Sequence, residues 1–413
     1  MPTNASVLCN LDRARRAMEM HGLDALCAVD ARNVYYLSNF ASNIMWNWTW
    51  VAFAILPRDS ERPPTLVCSG LDLPTLLENP TWMPVVQTYA LNQSSAETKA
   101  ISFRPAVFDE AQLGAVERRA LELYDATATI SAPDPESVLG AVLKDLRLDD
   151  KTVGIDDVRM AGRLNAGPAP AARFVDTRDI MRHIRLVKTE NEIELLRNAA
   201  VRNERALQAA IDATAAGVTW REIVDTFRIA TIREGGSPVY LIRGAGELAG
   251  ARTQRSDYAV KEGDLVFYDG LATYRHYHGD IGRTGFVGEA PADVRRAFDA
   301  TRDAWARGCE VLRPGMRASE LSAHIKEAVR KSGSEHPLRT ATPHSLGLEH
   351  FDHPQDRGFY QDFVIEEGCV LNVDMPHVEF GWGSLHLEDT VVVRGDGPEF
   401  LTSNRTELVE IGH

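Results

Sequence analysis

The sequence predicts an α/β domain followed by an α+β domain with an antiparallel sheet, and three observations carry that expectation. A chain of 413 residues exceeds the length at which one hydrophobic core stops growing. Its first part alternates short apolar runs with turn clusters behind an opening amphipathic helix. Its second part sets capped helices among apolar strands joined mostly by turns too short for crossover helices, which favours antiparallel pairing. The expected division lies near residues 178–188, giving domains 1–180 and 181–413.

In residues 11–21, Leu11, Ala14, Ala17 and Met18 recur at helical spacing, and Gly22 closes the run. Apolar runs at 25–29, 34–37, 51–56 and 66–68 read as strands between Asp, Asn, Arg and Pro turns. Trp46, Trp48 and Trp50 alternate, which on a strand would put all three rings on one face, as sheet packing or as a ligand wall. Farther on, 152–155 reads as a strand, 157–164 as a short helix and 166–172 as a loop. The phrases Thr189-Glu-Asn-Glu192 and Thr219-Trp-Arg-Glu222 are capping boxes that open two helices. Two further helices are expected at about 291–312 and 319–331, with strands near Val239, Leu265, Thr284, Val370 and Thr390.

Composition narrows the function. A formal charge of −14, from 45 Lys plus Arg against 59 Asp plus Glu, argues against a nucleic-acid partner or an anionic membrane surface. The amino terminus runs into charged residues before any apolar stretch long enough for a signal peptide forms. No apolar stretch approaches the roughly 20 residues of a membrane span. Five scattered cysteines form neither a disulfide framework nor a thiolate zinc site, which suits a reducing cytoplasm.

The chemistry concentrates in residues 263–284. An apolar run ends in Asp269, and Asp280 follows eleven residues later, a strand-turn-strand pattern that can bring two carboxylates together. Three histidines stand in ten residues, His344, His350 and His353, among glycine and proline. The runs ending in Asp374 and, fourteen residues later, Glu388 repeat the device. Four gathered carboxylates would raise one another's pKa unless cations neutralised them. Hard oxygen donors with an imidazole suit Mn²⁺, Fe²⁺, Co²⁺ or Zn²⁺.

The order Asp269, Asp280, His344, Asp374, Glu388 resembles the pita-bread metallohydrolases, which include methionine aminopeptidase, aminopeptidase P, prolidase and creatinase. The resemblance covers most of the chain, since Asn33-Val-Tyr-Tyr-Leu-Ser-Asn-Phe40 and the Arg-x-x-Lys-x-x-x-Glu phrase at 185–192 are similar to phrases of the two-domain branch. It implies a pita-bread carboxy-terminal catalytic domain behind a smaller creatinase-like α/β domain. It also implies two divalent ions, manganese first, with Asp269 on one ion, His344 and Asp374 on the other, and Asp280 and Glu388 as bridges. The expected activity is hydrolysis of a C–N bond in a dipeptide or small molecule through a metal-bridging hydroxide. A homodimer is implied, with Trp46, Trp48 and Trp50 as pocket walls.

Departures from the family pattern shape the remaining expectations. Asp374 is one methylene shorter than the family's Glu, and it is counted with the catalytic residues as well as the ligands. Arg252 and Phe351 stand where family histidines are expected, and His386 stands where an Arg is expected. His350 or His353 is the expected replacement acid–base group, and Arg252, His278, Phe351 and His386 the expected substrate contacts. Classical Xaa-Pro specificity is therefore in doubt. The alternatives are a metal-dependent lyase similar to dimethylsulfoniopropionate lyase and, from another class, a non-catalytic binding module.

Overall fold

The computed structural model describes residues 7–91, 103–250, 256–336, 340–355, 362–403 and 405–412. Two units divide it, Met1–Ile184 and Arg185–His413.

In the first unit, α1 (Leu11–Met20) starts at Asn10, whose side chain accepts from the Arg13 amide, and it buries Ala14 and Met18. Seven strands follow: β1 (Ala25–Ala28), β2 (Ala52–Pro57), β3 (Thr65–Ser69), β4 (Val85–Leu91), β5 (Ala128–Ala132), β6 (Thr152–Ile155) and β7 (Arg173–Asp176). They form one sheet in the order β5-β4-β3-β2-β1-β6-β7. Only β2 runs antiparallel to its neighbours. The interleaved helices are α2 (Ala31–Ser38), α3 (Asn43–Asn47), α4 (Ala115–Ala126), α5 (Pro135–Asp145) and α6 (Val158–Ala166).

Two expectations are corrected here. Residues 34–37 are helical, because Asp30 caps the Arg32 amide and carries the apolar run into α2, which ends at left-handed Asn39. The three tryptophans do not share a strand. Ser42 caps α3 through Met45, so Trp46 falls in a helical turn, packed edge-on against Tyr35. Trp48 and Trp50 follow in a bend, Trp50 with φ +61° and its Nε1 donating to Asp157 at 3.0 Å.

The chain crosses the division within α7 (Arg178–Leu186). In the second unit, α8 (Glu190–Asp212) and α9 (Trp220–Arg233) begin at capping boxes in which Thr189 pairs with Glu192 and Thr219 with Glu222. Then come β8 (Ser237–Ala245), β9 (Leu265–Tyr274), β10 (Tyr277–Val287), α10 (Ala292–Val311), α11 (Ala318–Lys331), β11 (Thr342–Ser345), β12 (Val370–Glu379), β13 (Gly383–Arg394), β14 (Gly397–Phe400) and β15 (Val409–Ile411). The central order is β11-β12-β13-β10-β9-β8. Helices α8 and α9 seal a core over β9 and β10 through Ala206, Leu207, Phe227 and Tyr268. Buried Asn203 on α8 donates to the carbonyls of Gly270 and Gly279 at 2.6 and 2.8 Å, tying the helix to both strands. The β9–β10 turn places Arg275 and His276 at φ +46° and +71°, the shape of a tight hairpin whose twist matches its strands.

Candidate metal centre

The acids stand in mid-strand, not at strand ends, because β9, β10, β12 and β13 all continue beyond them. Residues opposite one another across a sheet share a face, and a strand returns to that face every second residue. Register sets Asp269 against Gly282, Gly282 against Glu388, Glu388 against Asp374, and Asp374 against Thr342. One row across five strands thus carries three carboxylates. Two residues along on the same face, Tyr240 pairs with Leu271, Leu271 with Asp280, and Asn372 with His344. The Thr390 hydroxyl donates to the Asp280 carbonyl at 3.1 Å and joins the two halves of that row. On the other side of the acid row stand Phe267, Thr284 and His386, where the His386 amide donates to Thr284 Oγ1 at 2.7 Å.

Residues up to 119 positions apart therefore converge. Three overlapping sets offer donor atoms within 4.8 Å of one another: Asp269, Asp280 and Glu388; His344, Asp374 and Glu388; and Asp280, His344 and His350. Asp280 Oδ1 and Glu388 Oε2 are buried without a hydrogen-bond partner, and so are both amide atoms of Asn372. Unpartnered buried acceptors beside other acids fit divalent cations, and carboxylate with imidazole is their donor chemistry.

The electrostatics agree. Burial, aided by Asp280 and Asp374, pushes Asp269 up to about 7 against the relief offered by His386. Burial and the other three carboxylates drive Glu388 well above the ordinary range. Burial would also raise Asp280, but His350, donating through Nε2 to Oδ2 at 2.8 Å, holds it below its usual value. Burial and the neighbouring His350 bring His344 down to about 4, which leaves its imidazole neutral, the state that binds metal.

The surroundings hold these groups in place. The Phe351 ring stacks on His344 at 4.2 Å and meets His350 edge-on at 4.6 Å. His278 has its ring Nδ1 at 3.0 Å from the Gly347 carbonyl. Buried Arg283 donates to the carbonyls of Gly282 and Glu388 and to Asp389, clamping β10 to β13 beside Glu388. Near the active face, buried Asp352 accepts from Arg185 and from Lys188 at 3.2 Å, and Arg185 also pairs with Glu349. Gly347 is obligatory there, since a Cβ on it would lie 2.0 Å from Asp352 Oδ2.

Of the residues singled out by sequence, Asp269, Asp280, His344, Asp374, Glu388, His350 and His386 come together. His353 is placed differently: it is buried, stacked on Phe363 at 4.6 Å, and accepts from the Ser345 amide at 3.4 Å. It lines, with His344, Phe351 and Thr342, a side cavity of about 200 Å³. Arg252 lies outside the described residues. Trp46, Trp48 and Trp50 line a cavity of about 560 Å³ in the first unit, with Asp30, Asp156 and Arg159.

Sequence reading missed Tyr240, Asn372 and Thr342. Burial raises the Tyr240 phenol strongly and all four carboxylates add to the rise, so it faces the cluster. Asn372 and Tyr240 each stand between two apolar neighbours, and only strand register assigns them a face. Thr342 donates to Asp374 Oδ2 at 3.2 Å.

A sheet face bearing converged carboxylates and imidazoles fits a divalent-metal centre, and an α/β unit precedes it in the chain. Residues 194–395 match metallopeptidase family M24, and residues 10–187 match the creatinase/prolidase N-terminal domain. The chain is 29% identical over 234 residues to the Xaa-Pro dipeptidase of Pyrococcus furiosus, covering 56% of this chain and 67% of that protein. It is 28% identical over 287 residues to the probable dipeptidase PepE of Mycobacterium tuberculosis, covering 68% and 75%. In fold it is similar to the prolidase from Pyrococcus furiosus, with TM-score 0.69, 22% identity and 95% and 99% coverage. The Xaa-Pro dipeptidase from Bacillus anthracis gives TM-score 0.72 at 19% identity, with 97% and 99% coverage. The two matches together place residues 194–395 in the M24 metallopeptidase family, in the pita-bread fold, behind a creatinase-like amino-terminal domain at residues 10–187. No helix among the described residues is long and apolar enough to cross a membrane.

Proposed function

We propose that this chain is a dinuclear-metal dipeptidase that hydrolyses a C–N bond in a dipeptide or a small amide, with manganese as its first-choice ion. The observation that supports this reading best is the overlap of the three donor sets at Asp280, His344 and Glu388. In this reading Asp269 serves one ion, His344 and Asp374 the other, and Asp280 and Glu388 both. Bound divalent ions would polarise the scissile carbonyl and acidify a water to near-neutral pKa.

The chain's own residues do the rest. His350 keeps a proton on Nε2 at 2.8 Å from Asp280 and passes it to the leaving nitrogen. The Tyr240 phenol, kept protonated by burial and by four acids, offers a hydrogen bond to the carbonyl oxygen as charge builds there. Phe351 excludes water from one side of His344. His278 and Arg252 are assigned to the substrate.

Relatives named Xaa-Pro dipeptidase support a dipeptide substrate. Phe351 and Arg252, at positions where the family pattern has histidine, point to a side-chain preference other than classical Xaa-Pro. The exposed Trp48 beside the amino-terminal cavity suits a homodimer contact, and five free buried thiols suit the cytoplasm. A panel of Xaa-Pro dipeptides, other dipeptides and small amides, run with metal-replete protein in H₂¹⁸O, tests the proposal. Solvent oxygen in the carboxylate product is expected. An alkene product, or no turnover of any amide, contradicts hydrolysis.

A further inference from the structure

His386 lies two residues before Glu388 on the same face, and its ring occupies the space above Gly282. A Cβ on Gly282 would lie 2.2 Å from the His386 Cε1, so that position in the acid row keeps its side chain empty for the imidazole. The ring stacks on Phe267 at 4.2 Å with planes 14° apart, and it is 1% exposed. Its Nδ1 is 2.8 Å from the Tyr268 carbonyl. A carbonyl only accepts, so Nδ1 carries a proton, and an Nε2 relieved of its own proton by an incoming cation would turn its lone pair to the other side. There Nε2 lies 3.0 Å from Asp374 Oδ1 and 3.5 Å from Glu388 Oε2.

Pairwise, those separations are ones that two ligands of a common ion take, while the set of His344, Asp374 and Glu388, whose donor atoms lie within 4.8 Å of one another, does not itself include His386. Metal–nitrogen and metal–oxygen bonds of about 2.1 Å set two ligands roughly 3.0 Å apart at right angles and roughly 3.4 Å apart at the tetrahedral angle. An imidazole whose second nitrogen is held by a backbone carbonyl is also the usual form of a metal-ligating histidine.

We propose that His386, through Nε2, is a further protein ligand of the ion shared by His344, Asp374 and Glu388. A second imidazole would make that site richer in nitrogen than the one served by Asp269, Asp280 and Glu388, and would tilt it toward zinc or cobalt over manganese. The inference rests on the reading of the cluster as a cation site. It differs from a plain charge role, in which an imidazolium would hydrogen-bond to Asp374 and any cationic side chain would serve.

The test loads full-length protein with Zn²⁺ and counts imidazole ligands by zinc-edge X-ray absorption, while chelator competition gives Zn²⁺ and Mn²⁺ affinities for the wild type, His386→Asn and His386→Arg. Two imidazoles per pair of ions are expected in the wild type and one in each variant. Zinc affinity is expected to fall about 10- to 100-fold in both variants, with a smaller loss for Mn²⁺. Wild-type zinc affinity in His386→Arg, or one imidazole in the metal-loaded wild type, would overturn the proposal while leaving the cation site standing. A wild type that binds no divalent ion would overturn the cation site itself. Should a variant fail to fold, the imidazole count on the wild type alone decides.

Discussion

Two buried charge clusters sit in the same unit and are built on opposite terms. Around Asp352, the chain supplies its own cations: Arg185 and Lys188 reach the carboxylate, all three side chains are fully buried, and Asp352 is held far below the ordinary range despite its burial. Around Glu388, among the described residues, four carboxylates meet the imidazoles of His344, His350 and His386, Asp280 Oδ1 and Glu388 Oε2 stay unpartnered, and Asp269 and Glu388 are driven upward. The first cluster is complete as a piece of architecture. The second would be completed by positive charge from outside under the reading proposed above, which is what would separate a structural ion pair from a metal centre.

That contrast can be broken most sharply by removing Asp280. Asp280→Ala takes a donor from two of the three sets, and turnover is expected to fall about 10³-fold or more, with metal content falling alongside. Survival of both activity and metal content would remove Asp280 from the centre.

Stability should respond with opposite sign in the two clusters. Asp352→Ala leaves Arg185 and Lys188 buried without their shared partner, at a cost of about 3–5 kcal/mol in urea unfolding. In chelator-treated protein, Glu388→Gln relieves crowding among acids and is expected to stabilise by about 1 kcal/mol. With ions restored, the same variant should be the less stable. Equal signs for both substitutions in metal-free protein would erase the distinction.

A pH-dependent effect belongs to Glu192, which accepts from Tyr277 at 3.1 Å and from the Thr189 amide at 2.9 Å. Burial raises it from 4.5 to about 7 although Lys188 pulls the other way. Its folded value exceeds its unfolded one, so its contribution is full below about pH 4.5 and is lost as pH rises through about 7. Glu192→Gln should flatten the stability profile over that window, by on the order of 2 kcal/mol across it.

Much of this was readable in sequence where the signal is local. Capping boxes at Thr189 and Thr219, the helix at 11–21 and the strand at 152–155 follow from adjacent residues, and the order and spacing of Asp269, Asp280, His344, Asp374 and Glu388 marked the residues proposed as ligands. What sequence hid depends on register and context. The apolar run 34–37 looks like a strand until Asp30 is seen to cap it, and alternating tryptophans mimic a strand face while straddling a helix end. Tyr240 and Asn372 join the site only because β8 and β12 pair as they do. The partner of Arg185 lies 167 residues away, beyond any short-range pattern.

Titration calorimetry of metal-stripped protein with Mn²⁺ addresses the carboxylate cluster most directly. Two ions per chain bound with release of protons, and turnover that returns with them, is the expected result. A fully active protein that binds no divalent ion would contradict it.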